Sequence, residues 1–504
     1  MGENKSKLPF IIWPETEDEQ KIALENSEQL AEFREYRKKI RNHPYTPYYH
    51  FCSPNGNLND PNGICYYNGK YHMFYQQYPP IDPRQHWGHA VSEDLVHWED
   101  LPTAIYPDPE YAVFSGNTLV EDDRVLAMYY GDKKIGNFIA ESRDPLLLNW
   151  KKLTGKPVIP HRTDAPYWIF DPHLRREKDG YYSLSGINKH THSGTRMTEY
   201  QFFSQDLVNW VYIGELMDEN PFLAVDEDGA CPYFIHMHDD RYLFLHFSHN
   251  TGPHMYSGIY NDISHKFRPD RHVKLSFDTP GNGTLNAPCA MSDGNGGAYC
   301  IFNCADGTMA DSAYPRRGVM TMMYHITLDE NDTPVISPLP QYDTLHDTLL
   351  CDSTFDAKLG ERIEIPARGK ALDIQMTVDL SRANGFEIEL LSSQYEYTTV
   401  RFAERHSTWR DRAYVTIDST HSSLDTHQMG KSPETISVPL TGEDRKLSIR
   451  ILVDHCTVEV FCQGRIAFNM SYPTLSDSDR IFLSSLGGDI RAESVKIWNM
   501  KQIY

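Results

Sequence analysis

The sequence predicts an all-β protein: a five-bladed β-propeller, then a C-terminal β-sandwich, with a short helix at the N-terminus. The first observation is a phrase that occurs five times, a polar turn followed by a run of aromatic and aliphatic residues. Equivalent positions lie 54, 56, 61 and 56 residues apart, at Tyr71, Val125, Tyr181, Tyr242 and Ala298. A regular period of this length, built from strands and turns, is typical of propeller blades.

A second repeat supports the first. Each of the first three blades carries a serine and an acidic turn that lead to a tryptophan, in Ser92–Trp98, Ser142–Trp150 and Ser204–Trp210. A weaker copy ends at Phe267. This pattern predicts a turn before the outer strand of each blade, with the aromatic ring packed beneath it.

The ends of the chain have different patterns. Acidic residues near Glu15 and basic residues near Asn42 complement a helix dipole, which predicts one helix between them. From residue 359 onward, polar and apolar residues alternate, as in Lys370–Val378, which predicts sandwich strands. The expected organisation is a helical extension over residues 1–45, a propeller over 46–340, a linker over 341–358 and a sandwich over 359–504.

Composition excludes several classes of partner. The 504 residues include 48 basic and 70 acidic side chains, a net charge of −22 that disfavours nucleic acid and anionic membranes. The nine cysteines match no zinc or redox motif, so free buried thiols in a cytoplasmic protein are expected. We expect no cofactor and no metal. The expected partner is a small neutral carbohydrate, and assembly into a homo-oligomer stays open.

The position of the chemistry follows from the repeat. A proline lies nine or ten residues before four of the aligned positions, at Pro61, Pro172, Pro232 and Pro288. Equivalent positions in a propeller form one ring around its axis, so Asp60 and Asp171 are expected to meet at the mouth of the channel. Paired carboxylates around a pit are what glycoside cleavage requires.

Several motifs resemble glycoside hydrolase family 32, the invertases, inulinases and levanases, from about His50 to the end. These motifs are Leu58–Gly63, Tyr71–Gln76, Trp87–Trp98, Phe114–Gly116 and Arg450–Phe461. The resemblance implies a propeller plus sandwich that cleaves β-fructosides with retention. It implies Asp60 as the nucleophile and Asp171 as the stabiliser of the transition state. It also implies a fructose subsite lined by Asn59, Gln76, Trp87, Phe114 and Ser115.

Two positions depart from the family pattern. Phe170 stands where the family has arginine, and Ala230 stands where the family has its acidic proton donor, in Ala230-Cys231-Pro232. Three acidic residues precede this motif, namely Asp226, Glu227 and Asp228. A bulge over residues 228–230 would aim Glu227 into the pocket, so Glu227 is the predicted acid. Asp226 and Asp228 remain alternatives.

The predicted function is hydrolysis of terminal fructosyl residues of sucrose or fructooligosaccharides. The altered motifs of the third and fourth blades leave open fructosyl transfer, or cleavage of an unusual fructoside such as a difructose anhydride. The absent glutamate leaves open a fructan-binding protein without turnover.

Overall fold

The computed structural model describes residues 4–133, 136–191, 194–218, 220–224, 226–276, 282–306, 318–407, 411–425 and 432–504. Within these ranges the chain forms two α-helices, one 3-10 helix and 36 strands. None of the described helices has the length and apolar composition of a membrane span.

The N-terminal extension contains two helices, α1 (Glu17–Glu25) and α2 (Glu28–Ile40), where the sequence predicts one. The break has a local cause: the Ser27 hydroxyl accepts a hydrogen bond from the Leu30 N–H and caps α2. Arg37 of α2 donates to both carboxylate oxygens of Asp100, at 2.5 and 2.7 Å. This pair fastens the extension to the first blade.

Five sheets of four main strands confirm the predicted propeller. Blade 1 is β1 (Asn57–Tyr67), β2 (Lys70–Tyr78), β3 (His86–Ser92) and β4 (Trp98–Ile105). Blade 2 is β5 (Val113–Glu121), β6 (Arg124–Gly131), β7 (Gly136–Ser142), β8 (Lys151–Lys152) and a short β9 (Ile159–Pro160). Blade 3 is β10 (Pro172–Arg176), β11 (Tyr181–Gly186), β14 (Glu199–Ser204) and β15 (Val211–Glu215), with a hairpin of β12 (Lys189–Thr191) and β13 (Gly194–Arg196).

Blade 4 is β16 (Ala230–His238), β17 (Arg241–Ser248), β18 (Gly252–Asn261) and β19 (Lys266–Lys274). Blade 5 is β20 (Asn282–Ser292), β21 (Ala298–Asp306), β22 (Val319–Met320), β23 (Tyr324–Leu328) and β24 (Pro334–Pro338). The first strands contact one another in the order β1, β5, β10, β16, β20 and back to β1. This closed contact ring defines the propeller axis.

The first strands bulge at the same depth in four blades. In each of them two residues face a single residue of the second strand, which bends the strand and turns side chains toward the axis. The bulged pairs are Asn59–Asp60, Phe114–Ser115, Cys231–Pro232 and Asn286–Ala287.

The acidic turns precede the outer strands, as the second repeat predicts. In blade 1, Asp94 Oδ1 accepts the N–H groups of Val96 and His97 at 3.0 and 2.8 Å, and Trp98 is buried. In blade 3, Asp206 makes the same two bonds before Trp210. The carboxylate thus fixes the turn that delivers each ring to the outer strand.

Two six-stranded antiparallel sheets form the predicted sandwich. Its strands are β25 (His346–Ala357), β26 (Arg362–Arg368), β27 (Ala371–Asp379), β28 (Gly385–Ser392), β29 (Thr398–Arg405), β30 (Arg412–Asp418), β31 (Glu434–Val438), β32 (Lys446–Asp454), β33 (Thr457–Cys462), β34 (Arg465–Met470), β35 (Arg480–Leu486) and β36 (Ile490–Met500). The sheet orders are β25-β36-β27-β32-β33-β34 and β26-β35-β28-β29-β30-β31.

The stretch 341–358, expected as a linker, is mostly sandwich. A 3-10 helix over Pro340–Leu345 is followed by β25, which pairs with β36 along its length. The prolines end the last propeller strand without opening a free connector, because backbone pairing resumes at His346. The change from propeller to sandwich therefore takes only one short helix.

The propeller and the sandwich share a continuous core. One apolar cluster joins residues of blades 1, 4 and 5 to Leu452, Phe461 and Phe468 of the sandwich. At the same interface, buried His50 lies between Asp454, at 2.9 Å, and Glu459, at 3.3 Å. The two acids of the Arg450–Phe461 motif therefore have a structural role, because they bind His50 at the start of the propeller.

Candidate active site

Asp60 lies in the bulge of β1 and faces the propeller axis. Its Oδ2 accepts hydrogen bonds from the Ser115 hydroxyl at 2.6 Å and from Gln76 Nε2 at 3.2 Å. Its Oδ1 accepts one from Asn303 Nδ2 at 3.4 Å. Donors from blades 1, 2 and 5 therefore hold this carboxylate in one orientation.

Asp171 immediately precedes β10 and is nearly fully buried. Its Oδ2 accepts the N–H of Cys231 at 3.0 Å and lies 3.4 Å from the thiol of the same residue. That thiol also lies 3.8 Å from Asp60 Oδ2. The two carboxylates, 111 positions apart in the chain, thus share one pocket, which is the convergence that the blade repeat predicts.

Burial raises the pKa of both acids, and at Asp171 the charge of Asp60 adds to this effect. Burial raises the pKa of Asp60, although the Ser115 hydrogen bond and the charge of His249 oppose the rise. Burial and the charge of Asp60 raise the pKa of Asp171 to about 7. Asp60 therefore carries the negative charge first as the pH rises, and Asp171 keeps its proton longer.

The residues expected around fructose fall into two groups: those in the hydrogen-bond network of Asp60, and those at the bulge of β5. Gln76 and Ser115 contact Asp60 directly, and Asn59 donates to Gln76 Oε1 at 3.2 Å. Trp87 is fully buried beneath the pocket, where its indole N–H donates to the Phe114 carbonyl at 2.8 Å. Trp87 supports the bulge of β5 from below, while Phe114 is half-buried at the surface of that bulge.

Asn303 is a site residue that the sequence reasoning missed. Besides Asp60, its amide contacts Asn59 Oδ1 at 2.6 Å. A signal was present: Gln76 and Asn303 both stand five residues after an aligned position, Tyr71 and Ala298. Each is the single residue that faces a bulge of its first strand.

Phe170 forms an apolar wall where the family pattern has a cation. Its ring packs against the apolar cluster that contains Ala230 and Cys231, and it lies 5.2 Å from the ring of Tyr130. The two departures from the family motifs are therefore neighbours in space.

The three candidate acids before Ala230 point in different directions. Asp226 is exposed and accepts the Thr195 N–H at 3.1 Å, which turns it toward blade 3. Asp228 is half-buried and holds His249, with 2.5 Å between Oδ2 and Nδ1. Glu227 is buried, accepting the Ala224 N–H at 3.1 Å and the Thr251 hydroxyl at 2.9 Å.

The described contacts do not bring Glu227 to Asp60 or Asp171, which corrects the predicted arrangement. The prediction assumed a bulge over residues 228–230, but the bulge of β16 lies at Cys231 and Pro232. It therefore points the Cys231 N–H and thiol inward, and the Glu227 side chain stays in the preceding loop.

Glu199, at the start of β14, is a second buried acid that the sequence analysis missed. Neither carboxylate oxygen has a hydrogen-bond partner among the described residues. Burial, with the charge of Asp171, raises its pKa well above the usual range and so favours the neutral form of the side chain. It fills the space beside Gly186 and Gly229, where a Cβ would meet its oxygens at 2.3 and 2.8 Å.

One described group has ligand atoms close enough for a metal ion, namely Asp343, His346 and Asp373. The Arg450 guanidinium already bridges its two carboxylates, at 2.7 Å from Asp343 and 2.5 Å from Asp373. The group belongs to the sandwich region, and Arg450 offsets one of its two carboxylate charges.

Comparison with known proteins agrees with this architecture. The family model described as the glycosyl hydrolases family 32 N-terminal domain matches residues 50–337, and the family 32 C-terminal model matches residues 342–499. A sucrose-6-phosphate hydrolase of Pediococcus pentosaceus is 25% identical, over 98% of this chain and 95% of that protein. A levanase of Bacillus subtilis is 25% identical, over 91% and 71%.

Solved structures share the fold. Fructan 1-exohydrolase IIa of Cichorium intybus superposes with a TM-score of 0.79 at 20% identity, covering 91% of this chain and 98% of that one. A sucrose-6-phosphate hydrolase of Lactobacillus gasseri gives 0.73 at 20% identity, covering 98% and 100%. With both family models matched along nearly the whole length, the chain belongs to glycoside hydrolase family 32.

Proposed function

We propose that this protein is a retaining β-fructofuranosidase that hydrolyses terminal fructosyl residues of sucrose or short fructooligosaccharides. The observation that carries the proposal is the pair of Asp60 and Asp171 around one thiol at the propeller axis. Relatives with similar sequences are named sucrose-6-phosphate hydrolase, acid β-fructofuranosidase and levanase.

Asp60 suits the role of nucleophile. Three donors orient its carboxylate, and it ionises before Asp171, so a negative oxygen is available beneath a bound sugar. The fructosyl cation is a tertiary oxocarbenium ion, and a fixed negative charge beside it lowers the barrier. Attack by Asp60 on the anomeric carbon forms a fructosyl-enzyme, which water then hydrolyses.

Asp171 suits the role of stabiliser. Its pKa of about 7 lets it donate or accept a hydrogen bond to sugar hydroxyl groups near neutral pH. The amides of Gln76, Asn59 and Asn303 offer further donors and acceptors. Such a set matches a neutral, hydroxyl-rich ligand.

We further propose cytoplasmic residence. All nine cysteines are free and buried, as the sequence predicts. Free thiols are typical of proteins kept in a reducing compartment, which supports a role with imported small sugars.

The test is release of fructose from sucrose, sucrose 6-phosphate, 1-kestose, inulin and levan by the wild type and by Asp60→Asn. We expect turnover of at least one short substrate, reduced at least about a thousandfold in Asp60→Asn. A folded wild type without turnover of any of them would refute the proposal. Product analysis at high sucrose concentration separates hydrolysis from fructosyl transfer.

A further inference from the structure

We propose that His249, oriented by Asp228, is the proton donor of this active site and replaces the carboxylic acid missing at Ala230. The inference rests on the proposed fructosidase function. It assigns a histidine–aspartate pair to a step for which the sequence motif supplies no residue.

The pair is held rigidly. Asp228 Oδ2 contacts His249 Nδ1 at 2.5 Å, and Asp228 Oδ1 accepts the His249 backbone N–H at 2.8 Å. The Ser248 hydroxyl donates to the same Oδ1 at 3.2 Å. Two bonds to one carboxylate fix both the ring and its backbone, and they place the second ring nitrogen, Nε2, on the far side from Asp228.

The ring is accessible and lies on the correct face of the propeller. His249 follows the last residue of β17, at the same end as Ala230, which pairs with Phe247. Its side chain is 59% exposed, whereas that of Asp228 is 14% exposed. Among the described residues, Nε2 has no hydrogen-bond partner, so it is free to meet a substrate oxygen.

His249 is electrostatically coupled to the two acids of the pocket. Its charge lowers the pKa of Asp60 and of Asp171 against the effect of their burial. In return, the hydrogen bond that His249 donates to Asp228 and the charges of Asp228, Asp171 and Asp60 raise the pKa of His249. A raised pKa favours the imidazolium form, which a proton donor requires.

The other acids lack one of these properties. Glu227 is engaged by Ala224 and Thr251, and Asp226 bonds to Thr195 on blade 3. Glu199 has a raised pKa, but it is fully buried and cannot reach a leaving group without a rearrangement. Among these described candidates, only His249 combines an exposed side chain with electrostatic coupling to both Asp60 and Asp171.

The chemistry balances with these groups alone. As Asp60 bonds to the anomeric carbon, the bond from that carbon to the leaving oxygen breaks and the Nε2 proton moves to that oxygen. This gives a free alcohol, a fructosyl ester and a neutral imidazole. A water molecule then attacks the anomeric carbon, gives its proton to Nε2 and releases Asp60 as a carboxylate.

The first experiment compares two substrates in His249→Asn. Sucrose has a poor leaving group that needs a proton, whereas para-nitrophenyl β-fructofuranoside releases a stable phenolate without one. We expect kcat/KM to fall at least about 100-fold on sucrose and less than about 5-fold on the activated substrate. Equal losses on both substrates, or no loss on sucrose, would overturn the proposal.

A matched control is His97→Asn. His97 forms the same kind of pair, with Asp94 at 2.7 Å, on an exposed turn of blade 1, and it should behave as wild type on both substrates. Asp60→Asn separates the two proposals, because it should abolish turnover of both substrates. A wild type inactive on both refutes the fructosidase itself, whereas an active wild type with an unaffected His249→Asn refutes only the assignment of the donor.

A second variant reports on the pair directly. In Asp228→Asn the pKa of His249 should fall, so the alkaline limb of the sucrose profile should move to lower pH. The profile on the activated substrate should keep its alkaline limb. An unshifted sucrose profile in Asp228→Asn, or a loss confined to sucrose in Glu199→Gln, would overturn the assignment.

Discussion

The backbone N–H of Cys231 donates to Asp171 Oδ2 at 3.0 Å, across the gap between blades 4 and 3. Cys231 makes this bond with a φ of 49°, which is uncommon for a residue other than glycine. The bulge of β16 imposes that conformation and directs both the N–H and the thiol at the paired acids. The strained backbone of Cys231 thus places its N–H and thiol beside Asp171, a carboxyl group whose pKa is raised by burial.

This carboxyl group should reduce stability when it ionises. The pKa of Asp171 is raised to about 7, so the folded state binds a proton more tightly than the unfolded state between about pH 4 and 7. The wild type therefore loses stability over that range as pH rises. At pH 8 we expect Asp171→Asn to melt at a higher temperature than wild type. Its free energy of unfolding should be larger by on the order of 2 kcal/mol. At pH 4 the two proteins should melt alike, and calorimetry at both pH values checks this.

Ser115 should control the ionisation of the proposed nucleophile. Its hydroxyl donates to Asp60 at 2.6 Å and is the strongest influence that opposes the effect of burial on the Asp60 pKa. In Ser115→Ala the pKa should rise, so the acid limb of the kcat/KM profile should move upward by about one pH unit. Ser204→Ala, in an outer turn of blade 3, is the control and should leave the profile in place. An unchanged acid limb in Ser115→Ala would contradict the prediction.

The ring of blades could be predicted because strand repeats leave a regular apolar pattern in the sequence. The meeting of Asp60 with Asp171 followed from the same period, since equivalent offsets fall at equivalent depths. The break between α1 and α2 at Ser27 could also have been predicted, because serine is a preferred N-cap residue. The prediction of one helix followed the charge gradient and ignored the cap.

The proposed proton donor could not be predicted in the same way. The prediction for Glu227 assumed a bulge over residues 228–230, whereas the bulge of β16 lies at Cys231 and Pro232, and the position of a bulge decides which side chains face the axis. His249 and Glu199 lie in other strands or loops, and only the packing of blades 3 and 4 brings them near Asp171. Sequence separation along the chain carries no signal for such contacts.

Loss of the His50 proton should lower the stability of the protein at alkaline pH. Burial opposes its charge, but the hydrogen bonds that it donates to Asp454 and Glu459, and the charges of these acids, raise its pKa to about 9. Its stabilisation is complete below about pH 6.5 and is lost as pH rises through 9. At pH 6 we expect the free energy of unfolding of His50→Gln to be lower than that of wild type by on the order of 3 kcal/mol, because two buried carboxylates lose their cation. The difference in melting temperature from wild type should shrink at pH 9.5, and an equal difference at both pH values would contradict this.

Gly116 should be irreplaceable beside the pocket. A Cβ at this position would lie 1.9 Å from the Met128 carbonyl oxygen, which is backbone and cannot move aside. The Gly116 carbonyl also accepts the Tyr233 hydroxyl at 3.0 Å, tying blade 2 to blade 4. Gly116→Ala should therefore separate β5 from β6, displace Ser115 and lower both the melting temperature and the fructosidase rate, with a cost of about 2–4 kcal/mol. Gly155→Ala is the matched control, since nothing lies within 4 Å of its Cβ, and equal melting temperatures for the two variants would show that the close approach in blade 2 is not required.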